Sequence, residues 1–187
     1  MHDEQRYQGL LEHLTERLGP VRSVEPARSE RGNRGYDLAF YSQAEPPITT
    51  VVSNGLRFQQ VAAIRPEELV CSLLPDQQHL ARHLVDSIAS LIIRHKQGME
   101  YGSVFHNDRP IIEETEITGV VGQVSPLFGR DFDLFPNADA ATLQLITLVP
   151  ITTPEVAFIQ AEGADKLFEV FYLNRTNILD VGRRSAV

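Results

Sequence analysis

Apolar residues recur along the chain with two different periods, and the change from one to the other marks out its elements. In residues 3–18, Tyr7, Leu10, Leu11, Leu14 and Leu18 are spaced by three and four, which places them on one stripe of a helix. Asp3 stands where a cap is needed, and Gly19-Pro20 ends the segment. Residues 77–96 predict the longest helix, with Leu80, Leu84, Ile88, Leu91 and Ile92 on one face, Val85 at its margin and Gly98 as terminator. A third helical region opens at Thr153-Pro154-Glu155. There Thr153 is a capping residue, and Pro154 stands where a missing amide costs nothing. Gly163 interrupts it, and Ala164, Leu167, Phe168 and Phe171 continue the stripe.

Between these lie segments of strand type. Residues 21–28 read as a first strand and 29–35 as a polar turn or mobile loop. In residues 36–42, Tyr36, Leu38 and Phe40 alternate with Asp37, Ala39 and Tyr41. Residues 48–53 resume after Glu45-Pro46-Pro47, so the two runs form a hairpin, and Asn54-Gly55 marks the next turn. Further strands fall at 67–74 and 117–127, separated from each other by the second helix and an irregular stretch over 99–116. Residues 127–142 read as a loop. Residues 143–151 are the most continuously apolar strand, which predicts a central position buried on both faces. Residues 174–187 read as a poorly anchored tail. With no internal repeat and no dividing linker, this order predicts a single α+β domain over 1–187, its core at about 10–180. Its sheet is expected to be mixed, mostly antiparallel and flanked by helices.

Composition narrows the function classes. A chain that is 42% hydrophobic and 22% charged is too apolar to be disordered. The lone Cys71 rules out an internal disulfide and fits a reducing compartment. The opening MHDEQRYQGLLEHL lacks the basic start and apolar run of a signal peptide, and no stretch reaches the ~18–20 apolar residues of a membrane span. A cytoplasmic protein without membrane association is expected. The net charge of −8, from 25 acidic and 17 basic residues, argues against nucleic acid and favours a basic partner.

The candidates for chemistry are few. His79, His83 and Asp86, spaced by four and seven, share one side of the second helix, and two histidines at i and i+4 are a zinc-binding pattern. That side faces away from the apolar stripe. The glutamate that follows the first histidine in zinc proteases is absent, since Leu80 follows His79. Cys71 is a conceivable nucleophile, but it alternates with Leu69 and Leu73 and reads as a buried apolar residue. His95 lies on the apolar stripe near a helix C-terminus and reads as packed or dipole-stabilised. His106 sits in a turn-like cluster with Asn107 and Asp108. Glu113, Glu114 and Glu116, and likewise Asp131 and Asp133, are acidic groups without calcium-loop spacing and read as solvated surface. The segment Phe128-Gly129-Arg130-Asp131-Phe132-Asp133-Leu134-Phe135 concentrates aromatics inside turn chemistry. At least two aromatics are expected to pack inward, and Phe128, Asp131, Phe132, Asp133 and Phe135 are the partner-binding candidates. Phosphate-binding glycine loops and GxSxG are missing, and no cofactor is implied.

Three stretches then matter together: Thr50-Val51-Val52-Ser53-Asn54-Gly55-Leu56, Pro66-Glu67-Glu68-Leu69-Val70-Cys71-Ser72-Leu73 and Leu148-Val149-Pro150-Ile151-Thr152-Thr153-Pro154-Glu155. With the later Glu162-Gly163-Ala164-Asp165-Lys166-Leu167, their order and separation resemble the suppressor-of-fused-like domain family, over about residues 10–180. The family's usual GLS is Gly55-Leu56-Arg57 here. The resemblance implies a non-enzymatic protein-binding domain. Animal relatives bind transcription factors, and bacterial single-domain relatives look like immunity proteins paired with toxins. A basic toxin domain is the expected partner. The competing expectations are a scaffold that takes a peptide at a sheet edge and a metal-dependent hydrolase built on His79, His83 and Asp86 or on the acidic loops.

Overall fold

The structure, a computed structural model, describes residues 6–30 and 32–187. Within them the elements in chain order are α1 (Leu10–Leu18), β1 (Ser23–Glu25), β2 (Arg28–Ser29), β3 (Gly32–Asn33), β4 (Asp37–Ala44), β5 (Pro47–Asn54), β6 (Glu67–Leu73), α2 (Gln78–His95), β7 (Val104–His106), β8 (Ile117–Gln123), α3 (Arg130–Asp133), β9 (Leu134–Phe135), β10 (Leu143–Thr152), α4 (Thr153–Glu162) and α5 (Ala164–Leu173). Strands β2 and β3 pair as a small separate hairpin, and the others form one open sheet ordered β1-β4-β5-β6-β10-β8-β7, with β9 beside β10. Among these strands β6 and β10 pair in parallel, and the other strand pairings are antiparallel. The fold is thus a single α+β domain with a mixed, mostly antiparallel sheet.

The continuous apolar run places β10 at the centre, with all ten residues buried and β6 and β8 on either side. The hairpin of β4 and β5 closes in register from Asp37↔Asn54 to Ala44↔Pro47. Helix α2 covers one face of the sheet, packing Leu84, Val85, Ile88 and Ile92 on Leu69, Cys71, Ile146 and Leu148. The opposite face is covered in two parts. Leu10, Leu14 and Leu18 of α1 pack with Phe132 and Phe135 on Tyr41, Val52, Val70 and Leu145. Val156 and Ile159 of α4, with Leu167 and Phe171 of α5, pack on Val121, Val149 and Ile151. Thr147 stands on that face between Leu145 of the first cluster and Val149 of the second, because side chains alternate along a strand.

Several expectations change. Residues 7–9 form a turn, with Gly9 at φ 89°, so the helix that carries Leu10, Leu14 and Leu18 begins at Leu10 and does not include Tyr7. Asp3 lies outside the described residues. The stretch 29–35 contains β3, and 99–116 contains β7. Helix α2 ends at Lys96 in the left-handed conformation, φ 54°. Gly98 serves a different purpose: a Cβ there would fall 2.7 Å from the Ala63 Cβ and 2.9 Å from a Glu67 carboxylate oxygen. The cap of α4 is Thr152, one residue earlier than expected, and Glu155 accepts its amide at 2.9 Å.

The expected loose tail is the largest correction. Val181 is buried, its amide donates to Gln77 at 3.1 Å, and the Leu74 amide donates to the Leu179 carbonyl at 3.0 Å. Arg183 donates to both carboxylate oxygens of Glu155, at 2.6 and 2.8 Å, and to the Pro150 carbonyl at 2.9 Å. Residues 174–187 strap α4 and the end of β10 to the start of α2. Among the described residues, no helix is long and apolar enough to cross a membrane.

Candidate functional site

The motif residues are brought together, but as structure. Glu68 on β6 is buried, and its carboxylate accepts the Ser53 hydroxyl at 2.5 Å and the Gly55 and Leu56 amides at 2.8 and 3.2 Å. It also pairs with Arg57 at 2.6 Å. Glu68 thus ties the Ser53–Leu56 turn to the strand of the second stretch. Burial pushes its carboxyl up, and Arg57, Ser53 and Gly55 pull against that. Its neighbour Glu67 accepts the Met99 amide at 2.9 Å and the Gln144 side-chain amide at 3.3 Å. Burial raises Glu67 to about 7 against those bonds. For Glu155 burial acts upward, but Arg183 and the Thr152 and Ala186 amides hold the carboxyl below its ordinary value. Sequence reasoning places Glu67 and Glu68 on a strand but does not show that they are buried.

The candidate metal trio separates. His79 and His83 are exposed on α2. Asp86 instead accepts the Tyr36 hydroxyl at 2.8 Å and pairs with Arg82 at 3.3 Å and Arg34 at 3.6 Å. Glu25 pairs with both arginines at 2.7 Å, and Arg82 and Arg34 hold its carboxyl down at about 2 against burial. These groups line a cleft of about 640 Å³ between α2 and the β2–β3 hairpin. Its two arginines and the carboxylates of Glu25 and Asp86 are paired with one another, which fastens the hairpin to the helix. Among the described residues, no group of three or more His, Cys, Asp or Glu is placed to hold a metal ion.

The other candidates settle on their surroundings. Cys71 is fully buried under α2, and burial pushes its thiol up to about 12. His95 is exposed in the last turn of α2, not packed on the apolar stripe. His106 is exposed at the end of β7, in the wall of a cleft that His83 also lines. Glu113, Glu114 and Glu116 are exposed, and Glu116 accepts the Ser185 amide at 3.2 Å.

In the aromatic segment, Phe132 and Phe135 are buried against α1, where His13 stacks on Phe132 and its Nε2–H donates to the Phe132 carbonyl, 2.8 Å away. Asp133 is also buried and accepts the Ser125 amide at 2.8 Å. These three side chains do not face a partner, which corrects their assignment: a loop this apolar fills its own core. Phe128 is half-buried and Asp131 is exposed.

Large apolar side chains are exposed elsewhere, Leu11 and Ile64 among them. Tyr172 and Leu173 at the end of α5 are 84% and 76% exposed. With Phe168, Asp165 and Glu169 they form one wall of a groove of about 610 Å³, and Gln123, Val124 and Pro126 form the other. Gln123 donates to Asp165 across it at 3.2 Å. The signal in the sequence is that α5 carries more apolar residues than one stripe needs. Ala164, Leu167 and Phe171 face the core, while Phe168, Tyr172 and Leu173 lie beside it.

An open mixed sheet with helices on both faces and motif carboxylates buried as ties define a single-domain α+β protein, and an apolar groove with acidic residues at its rim lies on its surface. The model of the family described as Suppressor of fused protein (SUFU) matches residues 32–184, and the chain belongs to that family. No curated protein matches it. A structure described as a SUFU (suppressor of fused protein) homologue from Neisseria gonorrhoeae FA 1090 is similar over 98% of each chain, with 16% identity and a TM-score of 0.74. A chain of the Sufu-Fu complex is similar over 96% of this chain and 91% of that one, with 12% identity and a TM-score of 0.70. At these identities the likeness is one of fold.

Proposed function

We propose that this protein is a non-enzymatic, cytoplasmic protein-binding domain that acts as an immunity protein, neutralising a basic toxin by direct binding. The observation that carries the reading is the α5 groove, where Tyr172 and Leu173 stand in solvent beside Asp165 and Glu169. Large apolar side chains left uncovered and rimmed by charge are a docking surface, not a fold requirement. The net charge of −8 favours encounter with a basic protein. A suppressor-of-fused chain in complex with a protein supports binding as the family's mode of action. The outer strands β1 and β7 are three residues each, a short ladder for an added peptide, so the groove is preferred to a sheet edge.

Co-expression with a toxin-like product encoded beside this gene tests the reading. A stoichiometric complex in which the toxin is inactive is expected. A toxin that remains active and separate in the presence of excess protein overturns the proposal, as does the absence of any toxin-like neighbour.

A further inference from the structure

We infer that the α5 groove takes an amphipathic helix of the partner, with apolar anchors on one side and lysine or arginine flanking them. The inference deepens the protein-binding reading and rests on it.

The shape of the site comes from the sequence of α5. Its core stripe, Leu167 and Phe171 with Ala164, is satisfied against the sheet. Phe168 and Tyr172 form a second stripe at i, i+4, with Leu173 at its edge and Pro126 opposite. A ten-residue helix is about 15 Å long, which gives a groove two to three turns in length. Such a trough accepts side chains at i, i+3, i+4 and i+7 of a partner helix.

The charge of the rim selects among occupants. Asp165 and Glu169 are both exposed beside the apolar floor. Lys166 is paired with Glu169 at 2.9 Å, in the open, where such pairs exchange readily for a partner's cation. A second copy of this chain brings another net charge of −8 and another acidic rim, whereas a basic segment gains attraction from both.

The probe is a fluorescent helical peptide of about 16 residues, with leucines at the four anchor positions and lysines flanking them, titrated into the intact protein. Its control replaces every lysine by glutamate. The lysine peptide is expected to bind about tenfold or more tighter than the control, and to weaken with added salt. A Tyr172→Ser/Leu173→Ser variant is expected to bind it about tenfold or more weakly; both side chains are exposed, so its circular dichroism and melting should match the wild type. Absence of binding, equal binding of the two peptides, or unchanged binding by the variant overturns the inference. So does a wild-type dimer in sedimentation that the variant loses, which assigns the groove to a second copy. Failure of the immunity reading is separable. If the variant still neutralises the toxin, the groove inference falls and immunity stands; if the peptide binds as described but no toxin partner exists, the groove stands and immunity falls.

Discussion

Arg183 closes on Glu155 through both carboxylate oxygens, at 2.6 and 2.8 Å, in a site where Glu155 is fully buried. The guanidinium also lies over the Phe171 ring, 5.0 Å from its centroid. One contact thereby joins the strap over 174–187, the start of α4 and the core side of α5. Arg183→Met leaves a buried carboxylate without its cation and is expected to cost about 3–5 kcal/mol in urea unfolding at neutral pH. Because Glu155 sits below its ordinary value in the fold, this contribution is present above pH 4.5 and is lost as the pH falls through the folded value. The difference between wild type and variant should therefore shrink on acidification. A variant as stable as wild type at neutral pH would show that the strap is dispensable.

Glu67 behaves in the opposite sense. Burial raises its carboxyl from 4.5 to about 7, with Glu100 and Glu68 adding to the shift. Between those values the folded state holds a proton that the unfolded chain has released, so stability falls as pH rises through the window. Glu67→Gln keeps the shape and an acceptor for the Met99 amide without the charge. It is expected to gain on the order of 1–3 kcal/mol at pH 8, and to show no gain at pH 4. Melting temperatures at the two pH values check this.

Cys71 tests the enclosure of the core under α2. With the thiol fully buried and raised to about 12, an aromatic disulfide reagent is expected to react only at the rate at which the protein opens. Rapid labelling of native protein would contradict the packing.

Phe132 separates a folding role from a binding one. It is fully buried against α1 and Phe128. Phe132→Ala is expected to destabilise by about 3–5 kcal/mol, visible as a shifted denaturation midpoint. A stable variant that had lost only partner binding would restore the partner-facing assignment of that segment.

The sequence by itself determined the longer elements and the ordered motifs that resemble the family. Alternation places β4, helical spacing places α2 and a continuous apolar run places β10, because burial on one face or on both leaves its mark on each residue in turn. The ordered motifs around Gly55, Glu68 and Glu155 are legible because each holds one local geometry: a turn, a strand start or a helix start. What those carboxylates touch was decided only by the tertiary structure. Arg183 is 28 residues from Glu155, and Gln144 is 77 from Glu67. No periodicity encodes such pairs, since they form when distant segments are packed together. For the same reason His79, His83 and Asp86 share a helix side but not a site: Tyr36, fifty residues away from Asp86, claims that carboxylate. The groove lies between these cases. The surplus of apolar residues on α5 is written in the sequence, but which of them remain uncovered depends on how much of the helix the sheet can bury.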